Sequence, residues 1–140
     1  KNSIATFDTE EKTVKQMNDW FNDHSLKNPV IVVELNNKII AWASLSKYDT
    51  KKAYSDTSEL SLYVKKDFQG RGIGKKLIKT ILDKGKIAGL HAIISRVTDG
   101  NSASIYLHEK FGFKKIGTLK EVGKKFGKIL DVHIYEKLLK

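Results

Sequence analysis

Apolar residues recur at two different periods along this chain, and the changes of period divide it into elements. "PVIVVELNNKIIAWASLS" holds two apolar runs joined at Asn36-Asn37. Asparagine tolerates the positive φ of a tight hairpin turn, so the stretch predicts two paired strands. "ELSLYVKK" alternates, with Leu60, Leu62 and Val64 on one face and Glu59, Ser61 and Tyr63 on the other, and predicts a third strand. Leu77, Ile78, Ile81 and Leu82 then follow a helical period, which predicts a helix through about Lys86. "HAIISRV" predicts another strand, and "DGNSASIYLHEKFGF" a loop and a short helix ending near Gly112. "KKIGTLKEVG" and "ILDVHIYEKLL" predict the last strands, with "KKFGK" between them. Near the start, "FDTEEKTVKQMNDWFNDH" sets Asp8 three residues before Glu11, as in a capping box, and spaces Val14, Met17 and Phe21 as a helix stripe. "KYDTKKAYSDTS" reads as a polar loop. Strands and helices mix, with too many hairpins for a doubly wound parallel sheet. The expected fold class is α/β (mixed α+β), a mostly antiparallel mixed sheet with flanking helices.

Composition narrows the class without naming a function. The 140 residues suit one domain, expected to span 1–140, with 40% hydrophobic and 30% charged residues. No run is apolar and long enough to span a bilayer, and the polar start "KNSIATFDTE" has no signal-peptide core. The residues leave the compartment open and nothing in them suggests secretion; the expected setting is cytoplasmic. The net charge of +10 fits nucleic acid, a membrane surface or an anionic small ligand, but the lysines are spread evenly, as on a solvated surface. There is no cysteine, hence no disulfide framework and no thiol nucleophile. His24, His91 and His133 have no carboxylate or His partners at ligand spacing, so no metal is expected.

The chemistry concentrates in "FQGRGIGKKLIKTIL". Gly70, Gly72 and Gly74 follow a strand and precede a helix, so phosphate can approach bare amides at the positive end of a helix dipole. Arg71, Lys75 and Lys76 add positive charge there. The spacing is G-x-G-x-G, not the dinucleotide G-x-G-x-x-G, and no Ser or Thr follows Lys75 as a nucleoside-triphosphate loop requires. On the glycines alone, a packing turn between strand and helix accounts for them as well as an anion site does.

Taken with the strand before it, "ELSLYVKKDFQGRGIGKKLIKTIL" resembles the acetyl-CoA signature [Q/R]-x-x-G-x-[G/A] of the GNAT N-acetyltransferases, with its core on Gln69, Gly72 and Gly74. "HEKFGF", "VGKKFG" and "ATFDTEEKT" are similar to the branch that acetylates phosphinothricin or methionine sulfone, and the likeness covers nearly the whole chain. It departs from that branch in two ways. The family's first strand and helix precede the "TFD" stretch, and Ile129 stands where Trp is usual.

The resemblance implies a splayed central strand whose free backbone along Leu62, Tyr63 and Val64 takes the pantetheine arm and the developing oxyanion. The loop Gln69, Gly70, Arg71, Gly72, Ile73, Gly74 and Lys75 would take the pyrophosphate. It assigns Glu59 as the base that removes the amine's proton, directly or through water; read from the residues alone, Glu59 is a solvated strand-end carboxylate. His108 stands where many relatives carry a Tyr that protonates the leaving thiolate; acid, base partner and orienter all stay open, with Tyr106 an alternative donor. Asn101 is a good helix N-cap, and with Ser104 the resemblance also sets it against the coenzyme A arm. Lys52 would meet an amino acid's carboxylate, while Tyr54 and Phe7 would wall the pocket.

The expected function is N-acetylation of a small primary amine by acetyl-CoA, with no metal, no nucleic acid or membrane partner, and a homodimer as in that branch. The acceptors, in descending order, are amino acid, amino-acid analogue, polyamine and peptide N-terminus. A basic nucleic-acid-binding module and a silent coenzyme A-binding fold are the alternatives.

Overall fold

A computed structural model describes residues 28–139. The helix expected within residues 7–24 and the wall residue Phe7 lie outside the described residues.

Strands β1 (Val30–Leu35) and β2 (Lys38–Lys47) form the first hairpin. Asn36 and Asn37 take φ of 53° and 65° at its turn, as the two asparagines predict. The polar loop that follows holds a short 3₁₀ turn over Lys52–Tyr54. Strand β3 (Thr57–Val64) is followed by a second 3₁₀ turn (Lys66–Phe68) and helix α1 (Ile73–Ile87). Strand β4 (Ala92–Thr98) leads into helix α2 (Ser102–Lys110). Strands β5 (Lys114–Lys125) and β6 (Lys128–Leu138) close the chain as a long hairpin. "KKFGK" is mostly strand, with its turn confined to Phe126 and Gly127 at φ of 55° and 74°.

The six strands lie in the order β1-β2-β3-β4-β6-β5, antiparallel except where β3 meets β4. The core lies between the sheet and α1. Ala41, Ala43 and Leu45 from β2, Leu60 from β3, and Ile93 and Val97 from β4 face Leu77, Ile78, Ile81 and Leu82 of α1. All four helix residues are those the period of the sequence selects. Each fully buried Leu or Ile among them contributes about 1.5–3 kcal/mol of transfer free energy. Among the described residues, no helix is long and apolar enough to cross a membrane.

Candidate active site

The site begins where a ladder stops. β3 and β4 pair in parallel only from Thr57↔Ala92 to Leu60↔Ser95. β3 stays paired with β2 as far as Val64, so from Ser61 onward its β4 edge has no strand partner among the described residues. Alternation of the backbone decides which groups face the gap. The Lys65 amide donates to Ile40 O, and Leu60 O faces β4, where Ser95 Oγ lies 3.3 Å away. Leu62 and Val64 therefore turn their N–H and C=O into the gap, and Tyr63 turns its own toward β2. Of the three backbone positions expected along this strand, two face the gap and one serves the sheet.

The glycine loop stands at the gap's end. Gln69 Nε2 donates to Val64 O at 3.0 Å and folds the loop back onto the strand. Gly70 and Gly72 have φ of 78° and 81°, which β-carbon-bearing residues adopt only at a cost. Gly72 is the N-cap of α1 and no side chain caps the first turn, so the amides of Ile73, Gly74 and Lys75 have no intrahelical partner. Gly74 has a different reason to be glycine: a Cβ there would sit 2.7 Å from Leu107 Cδ1 of α2. It lets α1 and α2 approach closely. Arg71 lies over the Phe68 ring, 5.2 Å from its centroid.

Gly70 and Gly74 line a small cleft of about 80 Å³ together with Leu62, Val64, Gln69, Asn101 and Ser104. The side chains of Arg71, Ile73 and Lys75 lie outside it. Asn101 caps α2, its Oδ1 accepting the Ser104 amide at 3.2 Å. It also borders a second cleft of about 520 Å³ that runs through the gap to the sheet's other face.

That larger cleft holds Glu59 and His108. Glu59 is gripped by Arg96 of β4, whose Nε and Nη2 each donate to one carboxylate oxygen at 2.8 Å. The pair raises the Arg96 pKa above its ordinary value, chiefly through the hydrogen bond to Glu59. Arg96 is not among the expected site residues. Alternation in "HAIISRV" puts it on the face opposite Ile93, Ser95 and Val97, but only the parallel register carries it to Glu59.

His108 is 1% exposed. Its Nδ1 lies 2.7 Å from Ser104 O, which obliges that nitrogen to carry the proton and donate. Its Nε2 then accepts from the Ser95 hydroxyl at 2.7 Å. Burial pushes its pKa down, and the bond to Ser104 O only partly offsets this. The imidazole is thus neutral, with both nitrogens engaged, packed edge-on against Phe113. Tyr106, the alternative donor, is exposed on α2 and lines neither cleft.

Lys52 and Tyr54 line a separate hollow with Lys47 and Asp49, and Tyr54 packs edge-on against Tyr48. The structure does not bring them to Glu59. The far wall of the large cleft comes instead from Leu119 and Val122 on β5. A bulge between Leu119 and Gly123 re-aims them. Asp131 holds that bulge by accepting the Glu121 amide at 2.9 Å, with Glu121 at φ of 56°. No turn dipeptide in "GTLKEVG" announces it.

The chain matches the model of the acetyltransferase (GNAT) family over residues 2–113. It is 36% identical to a phosphinothricin N-acetyltransferase of Streptomyces coelicolor over 96% of its own length and 81% of the relative's. It is 31% identical to an L-methionine sulfoximine/L-methionine sulfone acetyltransferase of Pseudomonas aeruginosa over 81% of its length and 67% of the relative's. Among solved structures, a phosphinothricin acetyltransferase of Sinorhizobium meliloti in complex with acetyl-CoA superposes with a TM-score of 0.85 at 26% identity, over 98% of this chain and 75% of that one. An N-acetyltransferase of Staphylococcus aureus superposes at 0.86 with 33% identity, over 99% and 85%.

Proposed function

The chain belongs to the acetyltransferase (GNAT) family and is an acetyl-CoA-dependent N-acetyltransferase; from that premise we propose that its acceptor is the α-amino group of a small amino acid or analogue such as phosphinothricin or methionine sulfone. The single observation that carries this reading is a carboxylate, Glu59, held on one side of a sheet gap whose other side opens to a bare glycine turn. Acetyl-CoA fits from the helix side, with its pyrophosphate at the amides of residues 70–75 and its pantetheine along Leu62 and Val64. The amine enters from the opposite face.

The amine arrives as ammonium and must lose a proton before its lone pair can attack the thioester carbon. Arg96 takes one lone pair from each Glu59 oxygen and leaves others to accept that proton, directly or through a water. The new C–N bond forms as charge develops on the carbonyl oxygen, and the gap-facing Leu62 amide is suited to receive it. Collapse then breaks the C–S bond, and coenzyme A leaves as a thiolate that takes up the further proton the nitrogen sheds in becoming an amide. His108, with both nitrogens engaged, serves as an orienter that ties α2 to β4 where the strands part.

We place the reaction in the cytoplasm, the compartment of acetyl-CoA and free amino acids, and assign the partner as a second copy of this chain. Ile116, Val122, Phe126 and Ile129 on the β5–β6 hairpin expose apolar surface suited to such a contact. Sedimentation of the Val122→Glu protein checks it, with a shift from dimer to monomer expected.

A panel of amines with acetyl-CoA, followed by free-thiol release, tests the function. Turnover of methionine sulfone or phosphinothricin above polyamines and peptides is expected. Salt-sensitive nucleic-acid binding with no thiol release on any amine would overturn it.

A further inference from the structure

Lys52, the residue expected to read an amino acid's carboxylate, lies in a separate hollow. Among the described residues lining the large cleft, Arg96 is the one Lys or Arg. We propose that Arg96 is the specificity-determining residue of this active site, binding the acceptor's carboxylate with the guanidinium edge that Glu59 leaves open. The inference rests on the amino-acid reading above and names the group that enforces it.

The argument is one of donors. A guanidinium offers five N–H groups in a flat fork. Glu59 takes one from Nε and one from Nη2, at 2.8 Å each. The remaining Nη2 proton and the Nη1 proton beside it form a second edge in the same plane, able to grip another carboxylate with two parallel bonds. Among the described residues the hydrogen bonds of Arg96 are the two to Glu59, Tyr48 is a more distant electrostatic neighbour, and the side chain is 58% exposed at the cleft. A partly exposed guanidinium has room for a ligand that a buried one lacks.

The spacing suits one class of molecule. In an α-amino acid the ammonium and the carboxylate hang from a single carbon. Nη2 belongs to both edges of the guanidinium, so a carboxylate on the open edge brings the adjoining ammonium alongside the Glu59 oxygen that Nη2 also contacts. Charges then alternate around a closed circuit: Glu59 carboxylate, Arg96 guanidinium, substrate carboxylate, substrate ammonium. The contact that selects the substrate thereby delivers its nitrogen to the proposed base. A polyamine or a neutral amine leaves the open edge without an anion. A peptide N-terminus has an amide in place of the carboxylate.

Arg96 also shapes Glu59, so loss of activity in a variant does not separate the two roles; a ratio does. The kcat/KM for L-methionine sulfone divided by that for its carboxamide is measured in the wild-type, Arg96→Gln and Arg96→Lys proteins. Slackening of Glu59 lowers the numerator and the denominator alike and cancels. Loss of the carboxylate contact lowers the ratio by roughly tenfold to a hundredfold in Arg96→Gln, the range for a charge-assisted bidentate bond, with Arg96→Lys between. A ratio that stays within twofold of wild type overturns the proposal while leaving the acetyl-transfer reading intact. If no amine is turned over, that reading fails by itself. Calorimetry of the same two ligands against the coenzyme A-saturated proteins then decides Arg96. Weaker binding of the amino acid alone in Arg96→Gln supports the assignment, and parallel changes for both ligands overturn it.

Discussion

The two mouths of the gap between β3 and β4 are built by opposite means. On the helix side the site is mostly backbone: glycine amides, a helix start capped by glycine, and the gap-facing backbone of Leu62 and Val64, with Val64 O accepting from Gln69. On the other side it is made of side chains from four strands, with Trp42, Glu59, Arg96 and Val122 drawn to one cleft. A backbone site is indifferent to its neighbours' chemistry but strict about conformation. A side-chain site tolerates backbone variation and is strict about register. Changes on the two sides are therefore expected to fail differently, the first in acetyl-CoA binding and the second in turnover and choice of amine.

The sharpest way to break that division is Glu59→Gln. It keeps shape and removes the proton acceptor, so kcat is expected to fall by about 10²–10⁴-fold. Calorimetric affinity for coenzyme A should not move, and a matching loss of coenzyme A binding would join the two sides into one. Gly72→Val acts on the opposite side. Its φ of 81° imposes about 1–2 kcal/mol on a residue with a side chain. The expected result is a KM for acetyl-CoA raised roughly tenfold, with the amine's KM little changed. A KM series over both substrates tests this.

Asn101 borders both clefts and sharpens the comparison from the middle. Asn101→Ala removes the cap of α2 at a cost of about 1 kcal/mol, visible as a lower thermal midpoint. Its KM effect should fall on acetyl-CoA first, since the cap holds Ser104 at the small cleft.

The smallest expected effect is a pH slope in stability. The His108 pKa is lower in the folded protein than in the unfolded chain, because burial disfavours the charged ring. Below an unfolded pKa of about 6.5 the unfolded state takes up the proton while the folded state resists it. Stability is then constant with respect to this group above about pH 6.5 and declines as pH falls toward the depressed folded value. Urea midpoints from pH 8 to pH 5 in the wild type and in His108→Gln read it out. The variant should be less stable throughout and should lack that part of the slope.

The comparison also separates what was legible in the residues from what was not. The helix-side mouth is drawn mostly from short contiguous stretches, residues 62–64, 69–74 and 101–104, in which local spacing marks a bare turn and a helix cap, and the family resemblance supplies the expectation of a ligand. Gly74 accommodates Leu107, which lies more than thirty positions away. At the other mouth the sequence singled out Glu59 and His108 but not their partners. The Glu59–Arg96 pair spans a separation of 37 residues, the Ser95–His108 bond joins a strand to a helix, and the bulge that aims Val122 is held by Asp131 across the hairpin. Lys52 shows the converse error: loop neighbours in sequence need not enter the cleft that the following strand lines.

Local chemistry by itself determined the elements, the asparagine turn of the first hairpin, the stripe α1 buries and the bare loop before it, because period, caps and backbone freedom act over a few residues. Tertiary structure alone decided where the parallel ladder ends, which strand edges face the opening, and that Arg96 meets Glu59. Those follow from the register between strands distant in sequence, and register is set by how the whole sheet packs on α1 rather than by any neighbouring residue.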